Sequence, residues 1–97
     1  MYVLIPAYQP DARLPRLILE LHRADSAMRI VVVDDGSGDE YRNIFDASRT
    51  AGAHVISYER NRGKGYALRA GFTYIYDRAQ SLGIDDCVVT ADADGQH

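Results

Sequence analysis

Apolar residues follow two alternating patterns along the chain. Short, nearly continuous runs occur at Tyr2-Val3-Leu4-Ile5, Ile30-Val31-Val32-Val33, Ala53-His54-Val55-Ile56-Ser57-Tyr58 and Asp86 to Ala91. Runs of this kind mark strands, and a run apolar at every position marks one covered on both faces, as in a parallel sheet. Between them, apolar residues recur three and four apart, the spacing of an amphipathic helix. Leu14, Leu17, Ile18 and Leu21 predict a helix over residues 12 to 23. Tyr41, Ile44, Phe45 and Ser48 form the inward face of a second helix, and Leu68, Gly71, Phe72, Ile75, Ala79 and Leu82 that of a third, longer one.

Punctuation residues sharpen these boundaries. Pro6 cannot donate to a sheet ladder, so the first strand is expected to stop there, and Pro6 to Pro10 to form an irregular loop. Pro15 suits only the first turn of the first helix. Ser37 and Glu40 have capping-box spacing, which predicts a helix start near Gly38. Gly52 and Gly83 are placed to close the second and third helices. His22 reads as a surface residue, His54 as structural or solvated, and Tyr74 and Tyr76 as packing or surface groups.

The predicted order is β-α-β-α-β-α-β, without an internal repeat. The fold class is therefore α/β, Rossmann-like. It has a parallel sheet in the order 3-2-1-4, helices on both faces and right-handed crossovers. At 97 residues the chain is one small domain or part of a larger one. A charged share of 26% and a hydrophobic share of 46% indicate a globular domain. The net charge of −3, with no basic cluster of any length, gives no support to a nucleic-acid partner. Cys87 is the only cysteine, which excludes an internal disulfide and a multi-cysteine metal site; it reads as a small core residue. No apolar stretch approaches the ~20 residues of a membrane span, and the N-terminus lacks the regions of a signal peptide. A cytoplasmic setting is the expectation.

Open α/β sheets bind ligands beyond the carboxyl ends of their strands. Those ends carry Pro6 to Gln9, Asp34-Asp35, and Asp92-Ala93-Asp94-Gly95. Asp39 and Glu40 are accounted for by the helix dipole, which favours acids in a first turn, but Asp34 and Asp35 precede the cap. Asp92 and Asp94, two apart in an extended segment, point to the same side. Two carboxylates so close repel unless a cation or hydroxylated ligand lies between them. Hard oxygen donors suit Mg²⁺ or Mn²⁺, above all with phosphate oxygens completing the shell. Gly63-Lys64-Gly65, at the start of the third helix, is neither a Walker A loop nor a Gly-x-Gly-x-x-Gly fingerprint. Helix amides beside Lys64 and Arg62 nevertheless favour an anion. Together these features suit a metal-bound diphosphate, with Asp34 and Asp35 as acceptors for a base or ribose.

Three functions fit in outline. One is a metal-dependent transferase with a nucleoside-diphosphate donor. Another is a phospho-receiver or other Mg²⁺-binding signalling module; a receiver carries its acidic pair after the first strand, where this chain has Pro6-Ala7-Tyr8. The third is a dinucleotide-binding oxidoreductase, which would place its glycine fingerprint at that same position.

Ile5-Pro6-Ala7-Tyr8, Val33-Asp34-Asp35-Gly36-Ser37, Asn61-x-Gly63-Lys64-Gly65 and Asp92-x-Asp94 stand in a distinctive order and spacing. In these motifs the whole chain resembles family 2 glycosyltransferases of GT-A fold. Thr90 to His97 looks closest to the bacterial branch that charges polyprenyl phosphate with a sugar. The resemblance implies that Pro6, Ala7 and Tyr8 line a nucleoside pocket and that Asp35 contacts the base. It also implies that Lys64 lies near the nucleotide, that Asp92 meets ribose or metal, and that Asp94 binds the metal. Gln9 replaces the asparagine usual after that tyrosine, and an amide remains. Residues 1–97 are then expected to be the donor-binding part of a longer GT-A domain. The acceptor site and general base would lie beyond residue 97, and the complete protein at the inner face of the membrane. The expected partners are a nucleotide sugar such as a UDP-sugar, a polyprenyl phosphate lipid, and the rest of the enzyme.

Overall fold

The structure, a computed structural model, describes residues 1–82 and 88–93. Gly83, Asp86, Cys87 and Asp94, and the side chain of Leu82, lie outside the described residues. The elements are β1 (Tyr2–Ala7), α1 (Arg13–Ala24), β2 (Arg29–Asp35), a 3₁₀ turn (Asp39–Tyr41), α2 (Arg42–Thr50), β3 (His54–Tyr58), α3 (Lys64–Leu82) and β4 (Val88–Thr90). All strand pairs are parallel and the sheet order is β3-β2-β1-β4, as the alternating pattern predicts.

Alternation along the two central strands feeds two separate cores. Val3, Ile5, Ala7, Ile30 and Val32 pack with Leu14, Leu17 and Ile18 of α1 and Phe45 of α2. Tyr2, Leu4, Val31 and Val33 point the other way, onto Ala67 and Ile75 of α3. Leu4, Ile5, Leu14, Ile18 and Val31 to Val33 are wholly buried. Each contributes about 1.5–3 kcal/mol. The exposed ion pairs Arg13–Asp11, Arg42–Asp39 and Arg49–Asp46 contribute about 0.2–1 kcal/mol each. Burial therefore dominates stability.

Several local expectations are corrected. β1 runs through Pro6 to Ala7 instead of stopping at Ile5. Even-numbered residues of β1 face β4, as the bond from Ala91 N–H to the Leu4 carbonyl shows. Pro6 nitrogen thus points past Leu4↔Thr90, the last paired residues of β1 and β4, where the ladder needs no donor. Ser37 does not cap a helix; the 3₁₀ turn starts from Gly38 and α2 follows Tyr41 without a side-chain cap. Its hydroxyl has a longer-range partner, described below. Gly52, in contrast, ends α2 as expected. It has φ +115°, its N–H bonds to the Arg49 carbonyl, and the Ala53 N–H bonds to the Ser48 carbonyl, a Schellman pattern.

His22 is not a free surface histidine. Its Nδ1 lies 3.1 Å from the Ala51 carbonyl and its Nε2 3.0 Å from the Met28 carbonyl, so the ring pins α1 to the end of α2 and the start of β2. His54 is exposed and stacks on Tyr74, with ring centroids 4.5 Å apart. Phe72, expected inward, is 43% exposed; the inward positions of α3 are Ala67, Gly71 and Ile75. In β4, which pairs with β1, Val89 is 47% exposed, since no described element covers its side chain.

Gly71 lets α3 lie directly on the sheet. A Cβ there would collide with the side chain of Leu4, itself wholly buried. Gly71→Ala should therefore cost about 1–3 kcal/mol by overpacking. Gly65→Ala, whose Cβ would meet nothing within 4 Å, should be neutral or stabilising in the same urea titration. Equal midpoints for the two variants would contradict this packing.

Candidate functional site

β2 ends in two carboxylates that alternate to opposite faces. Asp35, its last residue, is 3% exposed. Its Oδ1 accepts from the Tyr58 hydroxyl at 2.5 Å and the Arg62 N–H at 2.9 Å. Its Oδ2 accepts from Asn61 Nδ2 and the Gly63 N–H, both at 2.9 Å. Asn61 Nδ2 also donates to the Asp35 carbonyl at 3.1 Å. A buried carboxylate needs such donors, since an unpaired charge out of water is costly. Burial, and then the Asp35 carboxylate, push the Tyr58 phenol above the ordinary tyrosine value. Tyr66 lies edge-on to Tyr58 at 5.2 Å, and the Arg62 guanidinium sits 5.2 Å over the Tyr66 ring.

The turn reaches Asp35 because Gly36 leaves room for it. Gly36 has φ +68°, and a Cβ there would strike the backbone of Arg60 and Asn61. Glycine alone satisfies both the conformation and the approach. On the opposite face, Asp34 Oδ1 accepts the Ser37 N–H at 2.9 Å, and Ser37 Oγ accepts the Gln9 N–H at 2.8 Å. Ser37 thus ties the loop after β2 to the loop after β1.

Three loops meet over this edge. A cavity of about 290 Å³ is lined by Pro6, Ala7, Tyr8, Asp35, Asn61, Gly63, Lys64, Ala67 and Asp92. It gathers every sequence-predicted substrate residue except Asp34. That residue faces a larger cavity of about 640 Å³, between α2 and the end of β3, with Tyr58 and Glu59. In the larger space Arg42 and Arg49 are already engaged by Asp39 and Asp46, at 3.0 and 2.9 Å. A third cavity, across Tyr8, is lined by Gln9, Asp11, Arg13 and Asp92 among others. There the Arg13 guanidinium forks onto Asp11 and holds its carboxyl below the usual range. Lys64, the first residue of α3, reaches Asp92 Oδ1 at 3.5 Å across the mouth of the smaller cavity, and both side chains are exposed. So loose a surface pair leaves the ammonium available to an anion.

Sequence reasoning missed Ala67 and Tyr58. Ala67 follows Lys64 by nearly one helical turn, a spacing that could have placed it on the cavity side. Tyr58 carries no such sign. Among the described residues no three acidic, histidine or cysteine side chains cluster as a metal site. Asp92 contributes one carboxylate, and its proposed companion Asp94 is outside the described residues.

The family model for glycosyl transferase family 2 matches residues 2–97. The chain belongs to glycosyl transferase family 2. It is 33% identical to the undecaprenyl-phosphate 4-deoxy-4-formamido-L-arabinose transferase of Sodalis glossinidius (strain morsitans), over 98% of this chain. It is 34% identical, over 98% of its length, to the protein of the same name from Enterobacter sp. (strain 638). The chain spans only 29% of the length of each of these relatives. No solved structure matches it.

Asp35→Ala should leave the Tyr58 hydroxyl and the Arg62 and Gly63 amides without their acceptor. The expected loss is about 2–4 kcal/mol, read as a lower urea midpoint. The Tyr58 phenol supplies a pH test. Its value is raised on folding above 10.0, so its contribution is complete below that pH and disappears as pH rises through the folded value. The phenolate absorbance that Tyr58→Phe removes should accordingly appear only above pH 10.

Proposed function

We propose that this chain is the donor-binding part of a glycosyltransferase that moves a sugar from a nucleoside-diphosphate carrier to a polyprenyl phosphate. The observation that supports it best is the smaller cavity, where Pro6, Ala7, Tyr8, Asp35, Lys64 and Asp92 come together at the carboxyl edge of the sheet. In this reading the nucleoside lies among Pro6, Ala7, Tyr8 and Asn61. The diphosphate lies toward Lys64 and the amino end of α3, where positive charge and helix amides favour an anion. Asp92 serves the ribose or a metal, and Asp94 the metal. Hard carboxylate oxygens beside a diphosphate fit Mg²⁺ or Mn²⁺ by donor type. When bound, such a cation offsets the charge that develops on the departing diphosphate.

The acceptor is inferred from the relatives, whose names specify undecaprenyl phosphate. A phosphate acceptor is anionic at neutral pH and depends less on a general base than a hydroxyl does. The acceptor site and any such base are assigned to the part of the relatives' length that this chain does not span. No helix among the described residues is long and apolar enough to cross a membrane. Apposition to the inner membrane face belongs to this reading of the whole protein, since the acceptor in the relatives' names is a lipid phosphate.

Calorimetry with UDP and GDP, with and without Mn²⁺, tests donor binding. Lys64→Ala should weaken the diphosphate about tenfold, the value of one charge-assisted contact. Asp94→Ala should abolish the gain from Mn²⁺. Metal-assisted binding undiminished in the Asp94 variant would overturn the metal assignment. Transfer of radiolabelled sugar to polyprenyl phosphate should be undetectable with residues 1–97 and appear once the downstream segment is supplied. Orientation of two substrates alone can be worth about 7–11 kcal/mol.

A further inference from the structure

The carboxyl edge of the sheet serves the donor, but the outer side of β3 has no task in that reading. β3 is an edge strand. None of its five residues is buried, whereas six of the seven residues of β2 are. Proteins ordinarily blunt an exposed strand edge with lysine, proline or a bulge. His54-Val55-Ile56-Ser57-Tyr58 contains neither lysine nor proline, and its register with β2 has no bulge. We propose that two copies of this chain associate through this edge, β3 against β3 in antiparallel sense, with the two α2 helices side by side on one face. The interface stands apart from the donor cavity and does not depend on the donor-site reading.

The ladder fixes which backbone groups of β3 face outward. The Arg29 N–H bonds to the Met1 carbonyl, so odd-numbered residues of β2 bond to β1 and even-numbered ones to β3. Val32 and Asp34 are the register partners of Val55 and Ser57. In a parallel ladder, a residue bonding toward its neighbour strand stands opposite one whose own groups point away. Val55 and Ser57 therefore aim their N–H and C=O groups away from β2. Neither N–H has a backbone partner among the described residues. Reversing the strand against itself sets Val55 opposite Ser57 of the second copy, and Ser57 opposite its Val55. Both are hydrogen-bonded pairs of an antiparallel ladder, and Ile56 lies at the twofold axis between them.

Charge order selects a second copy as the occupant. An axis normal to the sheet through Ile56 keeps both α2 helices on the same face and makes them antiparallel. Asp39, Arg42, Asp46 and Arg49 all line the larger cavity, between α2 and β3. They alternate in sign along the 3₁₀ turn and α2, and their side chains are exposed. Read in reverse, the same stripe presents Arg49 to Asp39 and Asp46 to Arg42. Every charge thus meets its opposite on the second copy, where a stripe of one sign would repel its own image.

Sedimentation equilibrium and native-state amide exchange on the full chain test the interface. The chain should sediment as a monomer and dimer in concentration-dependent exchange. Protection of the Val55 and Ser57 amides should rise with protein concentration, while Ile56, whose N–H bonds to β2, stays constant. Ser57→Pro removes an outward donor and no internal ladder bond, so that variant should keep its fold and sediment as a monomer. Arg49→Glu sets like charges face to face and should weaken the dimer about tenfold. Adding Asp39→Lys to Arg49→Glu restores opposite charges across the axis and should return the dimer to its original strength. This rescue decides the proposal even if Ser57→Pro fails to fold. A monomer at every concentration would assign the edge to a different strand and overturn the proposal. A dimer that Arg49→Glu leaves undiminished, or that Asp39→Lys fails to rescue, would overturn it as well.

Discussion

A carboxylate taken out of water must be surrounded by donors, and Asp35 organises the carboxyl edge of this sheet around that requirement. Its partners come from the end of β3 and from a turn that would otherwise have no fixed path. Satisfying the charge fixes the turn, the turn fixes the first residue of α3, and α3 presents Lys64 to Asp92. The cavity exists because these steps are linked. A neutral residue at position 35 would leave the strands paired and remove the reason for the turn to fold inward.

The sheet supplies the second constraint. Parallel strands joined by right-handed crossovers put all their carboxyl ends on one edge, so loops far apart in sequence become neighbours. The two central strands are apolar on both sides. Burial alone consequently says little about register, since a one-residue slip would exchange one apolar face for another. Polar contacts at the strand ends resolve that ambiguity. Tyr58 meets Asp35 on one face, and Ser37 joins Asp34 to Gln9 on the other. Asp35, which lines the smaller cavity, is thus also one of the residues that pin the strands that carry it.

The strands, the helices, their order and the parallel sheet could all be read from residue spacing, because period and punctuation are local properties. The acidic strand ends and Lys64 could be picked out for the same reason. The misreadings have one origin. Pro6 reads as a strand end until it is known that β4 stops short of it. Ser37 reads as a cap until Gln9 is brought to its hydroxyl, and His22 as a surface group until two carbonyls 6 and 29 residues away flank its ring. Phe72 and Val89 have apolar chemistry but lie where no described element covers them.

The sequence by itself determined the α/β alternation, the family and the set of chemically capable side chains. These depend on residue type and on distance along the chain. Tertiary structure alone decided that Asp34 and Asp35 divide between two cavities and that Asp35 gathers four internal donors. It also decided that Tyr58, which no motif marks, completes the arrangement. Those outcomes depend on which atoms meet across the sheet. Such meetings follow from strand register and from the close approach that Gly36 and Gly71 permit, and neither is written in the order of residues along any one segment.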